Sequence, residues 1–187
     1  MSIRDENDLT RLRRVGKVVA ETLRLMLRSV RPGMTTRDLD SLGAAFFKKH
    51  GARSAPQLTY KFPGATCISV NQEIAHGIPG SRVIQHGDLL NIDVSLELDG
   101  YFADTGTSIC VGAANSVDVN GNSVSALEAK QASAVEPAVA QRMADFQRLC
   151  NASQNILQQT IQNLKAGDPL NQSGKSIEAG ALSHGYT

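Results

Sequence analysis

At 187 residues the chain is long enough for one domain with a real core, and 41% hydrophobic with 20% charged residues is ordinary for a globular protein. Lys and Arg number 19 against 18 Asp and Glu, a net charge of +1, which gives no electrostatic reason to expect nucleic acid or an anionic membrane as a partner. No apolar run is long enough to span a membrane, the first eight residues lack a signal peptide's apolar stretch, and the odd, scattered Cys67, Cys110 and Cys150 read as free thiols of a reducing compartment, so a cytoplasmic protein is expected.

Leu9, Leu12, Val15, Val19, Leu23, Met26, Leu27 and Val30 recur at helical spacing, and Asp5 to Asp8 supply acids and caps at the start. Pro32-Gly33 ends that helix. Thr35, with Asp38 three residues on, has the form of a capping box opening a second helix through Leu39, Leu42, Phe46 and Phe47 to Gly51. From Ala52 to Gly112, prolines and glycines punctuate short β-favouring runs such as 66–70. Residues 113–142 are rich in Ala, Ser, Val and Asn, include Asn120-Gly121 and Pro137, and lack an apolar stripe; they read as a loop or partly helical insertion. Helical periodicity returns with Met143, Phe146, Leu149, Ile156, Leu157, Ile161 and Leu164, and Gly167 and Pro169 stop it. A short helix around Ile177 to Leu182 then leads to His184-Gly185.

That second helical stretch echoes the first. Val30-Arg31-Pro32-Gly33 matches Leu164-Lys165-Ala166-Gly167, and the step from Gly33 to His50-Gly51 equals the step from Gly167 to His184-Gly185. Internal duplication and coincidence both account for a single echo. Under duplication, the strands that follow the first helix pair have no counterpart after the second.

The chemistry-bearing segment is 91–105. Asp99-Gly100 supplies the positive φ of a two-residue hairpin turn. With that turn, Leu98 faces Tyr101, Ser95 faces Asp104 and Asp93 faces Gly106, so Asp93 and Asp104 are diagonal neighbours on one face, roughly 7 Å apart along the backbone. Two carboxylates that close repel in water and fit a divalent cation or a pair of them. The alternation of Leu90, Ile92, Val94, Leu96 and Leu98 with polar residues also describes a half-solvated strand with no function. The spacing alone leaves both readings open.

Three segments together resemble the bacterial type I methionine aminopeptidases: 65–71 with Ile74-Ala75-His76-Gly77-Ile78-Pro79, then Gly87-Asp88-Leu89-Leu90-Asn91-Ile92-Asp93-Val94, then Asp99-Gly100-Tyr101-Phe102-Ala103-Asp104-Thr105. The resemblance covers residues 9–112 and resumes more weakly over 143–187. It implies an α+β pita-bread fold, two pseudo-symmetric αβ halves forming a curved antiparallel sheet backed by helices. Residues 1–187 are then a single partial domain: 9–112 the first half, 113–142 an insertion or loop, and 143–187 the helices of the second half.

The implied activity is removal of the initiator methionine from nascent proteins whose second residue is small. The implied partners are nascent polypeptide N-termini and, transiently, the ribosome's exit region, with no nucleic acid and no membrane. Two divalent ions are implied, held by two Asp, one His and two Glu; such a donor set does not choose among Co²⁺, Mn²⁺, Fe²⁺ and Zn²⁺. Asp93 and Asp104 match the two aspartates, and His76 matches the histidine that contacts the substrate peptide and acts in catalysis. Phe62 and Cys67 fall where the methionine pocket is lined. Without the motif, His76 reads as a surface histidine and Phe62 and Cys67 as core residues. His50, His86 and His184 match no functional position.

The chain departs from the family in three places, the first being the insertion at 113–142, which occupies what is usually a short connection. The family's metal-binding His and two Glu belong after Thr187, and Glu178 matches none of them. Two of five ligands are too few to hold a catalytic pair of ions tightly. Pro56 stands where many relatives carry a pocket cysteine. The chain is therefore expected to be a truncated or divergent copy, weakly active or inactive alone, with an unfinished sheet edge that lowers solubility. The alternative is a non-catalytic, peptide-binding pita-bread relative. A proline-specific peptidase or creatine-type hydrolase fits less well, because of the His-Gly-Ile-Pro loop and the compact N-terminus.

Overall fold

The computed structural model describes residues 3–112 and 136–186. Helix α1 spans Glu6–Ser29; the Asp5 carboxylate accepts the Asp8 N–H at 2.8 Å and caps it. Helix α2, Thr36–Lys49, opens with the expected capping box, in which Thr35 and Asp38 satisfy each other's backbone N–H. A short strand β1, Arg53–Ser54, leads into helix α3, Ala55–Tyr60. Strands β2, Cys67–Val70, β3, Leu89–Leu98, and β4, Tyr101–Cys110, complete the sheet. Helices α4, Pro137–Asn163, and α5, Leu170–Ser183, follow.

Strand β3 is the axis of an antiparallel sheet. β4 pairs with it along its whole length, from Leu98↔Tyr101 at the turn to Leu89↔Cys110. Its other edge is shared end to end by β2, through Cys67↔Asp93 to Val70↔Leu90, and by β1, through Ser54↔Leu96 and Arg53↔Glu97. The period of two sends Leu90, Ile92, Val94 and Leu96 to one face, where all are 0% exposed. There they meet Val15, Val19, Leu23 and Met26 of α1, behind which α2 adds Leu39 and Phe47. Each fully buried aliphatic side chain contributes roughly 1.5–3 kcal/mol, so this layer holds the sheet to the helices. Asn91, Asp93 and Ser95 are left on the opposite, half-buried face.

The helix α3 falls within the stretch read as strands. Ser54 and Pro56 explain it: the serine hydroxyl accepts the Gln57 N–H at 3.4 Å, and proline suits a first helical turn that needs no donor. Helix α4 starts at Pro137, inside the segment read as an insertion; the rest of that segment, 113–135, lies outside the described residues. Helix α5 is longer than the 177–182 core expected. α4 packs against β4, and α5 packs against α4. Among the described residues no helix is long and apolar enough to cross a membrane.

The echo between the two helical stretches extends to the backbone. Gly33 and Gly167 have φ of 93° and 94°, and Gly51 and Gly185 have 77° and 79°. His50 and His184 cap α2 and α5 with φ, ψ of −93°, 8° and −94°, 3°. Each places its imidazole Nδ1 3.0 Å from the carbonyl oxygen four residues back. Equivalent turns, caps and side-chain contacts thus recur at one constant spacing.

Candidate metal centre

The hairpin that carries the carboxylates closes on Asp99 and Gly100, whose φ values of 54° and 86° are the pair of positive angles a type I′ turn requires. Arg14 of α1 bonds Asp99 at 2.9 Å and fixes the turn to the helical layer. The observed register is the expected one: Ser95↔Asp104 and Asp93↔Gly106. Asp93 and Asp104 therefore share a face. Gly106, directly across from Asp93, puts no side chain between them.

The two carboxyl groups line one cleft, near enough for the charge of Asp104 to act on Asp93. Asp93 is half-buried and Asp104 exposed. Burial first, then the charge of Asp104, push the Asp93 carboxyl up to about 6, while His76 pulls the other way. Asp93 thus holds a proton more tightly than a free carboxylate does, and a divalent cation is the natural replacement for that proton.

His76 is exposed and lies in a loop that leaves the sheet after Val70 and returns along β2. Its backbone is left-handed, φ 55°, a conformation that costs a non-glycine residue of order 1–2 kcal/mol. An open cleft of about 360 Å³ brings His76 together with Asp93, Asp104 and Cys67. Cys67 is 4% exposed, and burial followed by the charges of Asp93 and Asp104 pushes its thiol up to about 11. It is a neutral, apolar wall, not a thiolate.

Phe62 does not line that cleft. Its ring stands behind Tyr60, 6.2 Å between centroids at 66°, and Tyr60 lines the wall together with Pro56 and Thr59 of α3 and Phe102 of β4. Tyr60 and Phe102 are absent from the residues picked out by sequence. Phe102 was within reach, since alternation puts it on the same face as Asp104. Tyr60 depends on α3, whose Ser54 and Pro56 were the available signals.

Asp40 was also missed. From α2 it accepts the N–H of Ala65 at 3.1 Å, and the N–H and hydroxyl of Thr66 at 2.7 Å each, holding the turn that delivers Cys67 to the cleft. Among the described residues no group of three or more His, Cys, Asp or Glu is arranged to hold a metal ion. Two carboxylates on one face fit part of a hard-cation site, with further ligands needed for tight binding.

This sheet and helix arrangement is the α+β pita-bread fold. The crystal structure of methionine aminopeptidase from Rickettsia prowazekii superposes on 98% of this chain and 63% of its own, with a TM-score of 0.76 and 30% identity. The prolidase from Pyrococcus horikoshii OT3 shares the fold at a TM-score of 0.73 and 14% identity, covering 98% of this chain and 44% of that one.

Residues 10–187 match metallopeptidase family M24, and the chain belongs to that family. Methionine aminopeptidase 2 of Bacillus subtilis (strain 168) is 37% identical over 188 residues, taking in 100% of this chain and 64% of the relative. A methionine aminopeptidase of Staphylococcus epidermidis (strain ATCC 12228 / FDA PCI 1200) is 36% identical over 187 residues with the same coverage. The chain is thus a homologue of methionine aminopeptidases that spans about 64% of the length of these curated relatives.

Proposed function

We propose that this chain carries the first half of a dinuclear methionyl aminopeptidase site, serving the removal of initiator methionine from nascent proteins in the cytoplasm. One observation supports this above the others: the strand register sets Asp93 and Asp104 on the cleft side of the sheet, with His76 lining the same cleft from the loop. Asp93 and Asp104 would hold divalent cations, Co²⁺, Mn²⁺, Fe²⁺ or Zn²⁺. Such ions supply Lewis acidity at the scissile carbonyl and an activated water.

The chain's own residues do the rest. His76 donates to the peptide beside it or carries a proton for it. Cys67 and Tyr60, with Phe62 bracing Tyr60 from behind, form the apolar wall against which an unbranched thioether side chain packs, a contact that discriminates only modestly by size. Nascent polypeptide N-termini are the partners, met near the ribosome's exit. On two carboxylates alone, these 187 residues turn over peptide slowly or not at all.

The test is an assay of Met-Ala-Ser peptides with added Co²⁺ or Mn²⁺, run beside the metal-induced shift in melting midpoint. The reading expects a metal-dependent shift, and any turnover, to vanish in Asp104→Ala. Turnover that survives that substitution overturns it.

A further inference from the structure

His76 sits in a backbone conformation that a histidine does not choose, on a loop whose residues 72–76 are all exposed. Something outside the loop must hold it. The fastening lies at the next residue. The Gly77 N–H donates to Ser69 Oγ at 3.1 Å, and the Ile68 N–H donates to the Gly77 carbonyl at 2.9 Å. Gly77 is pressed so closely onto β2 that a Cβ there would stand 2.2 Å from the Ile68 carbonyl oxygen and 2.7 Å from the Ser69 Cα. No residue but glycine fits, and the peptide joining His76 to Gly77 lies flat on the strand.

Ser69 is only 2% exposed. On β2 it follows Cys67 by two positions, so the two side chains share the face that carries Asp93 in the neighbouring strand, where Cys67 pairs with Asp93 and Ser69 with Asn91. A buried hydroxyl on a strand otherwise filled by Ile68 and Val70 needs a polar partner, and the Gly77 N–H is one. The far end of the loop is tied separately: Glu73 accepts the Val70 N–H at 2.8 Å and pairs with Arg82 at 2.7 Å. Ser69 therefore acts on the His76 end alone.

We infer that Ser69 is the positioning residue of His76: its hydroxyl, together with the missing side chain of Gly77, fastens the His76–Gly77 peptide to β2 and aims the imidazole at the cleft. This rests on the reading of His76 as the group that meets the peptide. Alanine at 69 leaves the Gly77 N–H without its acceptor; threonine keeps the oxygen in place.

The experiment uses the full chain, ¹⁵N-labelled, as wild type, Ser69→Ala, Ser69→Thr and His76→Ala. Amide exchange at Gly77 is compared with Ile92 and Val94 in the same molecule, and the His76 ring resonances are followed. The expected result in Ser69→Ala is exchange at Gly77 at least tenfold faster, unchanged Ile92 and Val94, and displaced His76 ring signals, with Ser69→Thr restoring all three. Unchanged Gly77 exchange and ring signals overturn the inference.

A second arm titrates Met-Ala-Ser in the presence of Mn²⁺. Ser69→Ala weakens binding in the wild-type background and changes it less than twofold in the His76→Ala background, since it acts through His76. A full loss in both backgrounds contradicts action through His76. If His76→Ala leaves peptide affinity intact while Gly77 exchange quickens in Ser69→Ala, the reading of His76 fails and the fastening stands. Should Ser69→Ala not fold, wild type decides: a Gly77 amide exchanging as fast as that of exposed Ala75 overturns the assignment.

Discussion

Asp93 and Asp104 stand as diagonal neighbours on one face of the β3–β4 ladder, one half-buried and the other exposed, with a glycine opposite the first. Their like charges work against the fold when no cation is present. Asp104→Asn is therefore expected to raise the melting midpoint of the metal-free chain by a few degrees, on the order of 1 kcal/mol. A divalent cation at one hundred times its dissociation constant adds about 2.7 kcal/mol to wild type, or roughly 5–10 °C for a chain of this size. Asp104→Asn removes that gain. Thermal melts with and without Mn²⁺ check both signs.

Glu97 gives the fold a pH dependence apart from the cleft. Its carboxylate accepts from Arg53 Nε at 2.7 Å and from the Gly100 N–H at 2.6 Å. The Arg53 bond chiefly, and the Gly100 bond after it, hold it below its ordinary 4.5. A lowered carboxyl stabilises the folded chain above the unfolded value and loses that contribution as pH falls through the folded one. Urea midpoints at pH 7, 4 and 3 are expected to fall more steeply for wild type than for Glu97→Gln, which starts lower at pH 7 and declines less.

The two long helices that echo each other bury very different surfaces. Leu23 and Leu27 of α1 are 0% and 4% exposed beneath the hairpin, whereas their counterparts Leu157 and Ile161 of α4 are 50% and 54% exposed. Leu23→Ala is expected to cost 2–5 kcal/mol, the range for emptying a packed site. Leu157→Ala is expected to cost less than about 0.5 kcal/mol. Leu157→Gln with Ile161→Gln should lower binding of an apolar dye and raise solubility without lowering the melting midpoint. A large loss of stability in that pair contradicts the assignment of this face as uncovered.

The hairpin and its carboxylates were legible in the sequence because both signals are local: alternation through Leu90–Leu98 and the Asp99-Gly100 turn fix register together. The capping box of Thr35 and Asp38 was legible for the same reason. Helix α3 was hidden among the prolines and glycines around it, although Ser54 and Pro56 announce a helix start, and with it went Tyr60 and the true place of Phe62. Asp40 and Ser69 could not be found by spacing at all. Their partners, Ala65, Thr66 and Gly77, are brought to them only when α2 and the 71–83 loop fold back on β2.

The most direct test of the carboxylate pair as a cation site is a Mn²⁺ titration of the chain followed by the electron paramagnetic resonance of free Mn²⁺. Saturable uptake by wild type, lost in Asp93→Asn and in Asp104→Asn, is the predicted result. Equal uptake by wild type and both variants, or no uptake at millimolar Mn²⁺, contradicts it.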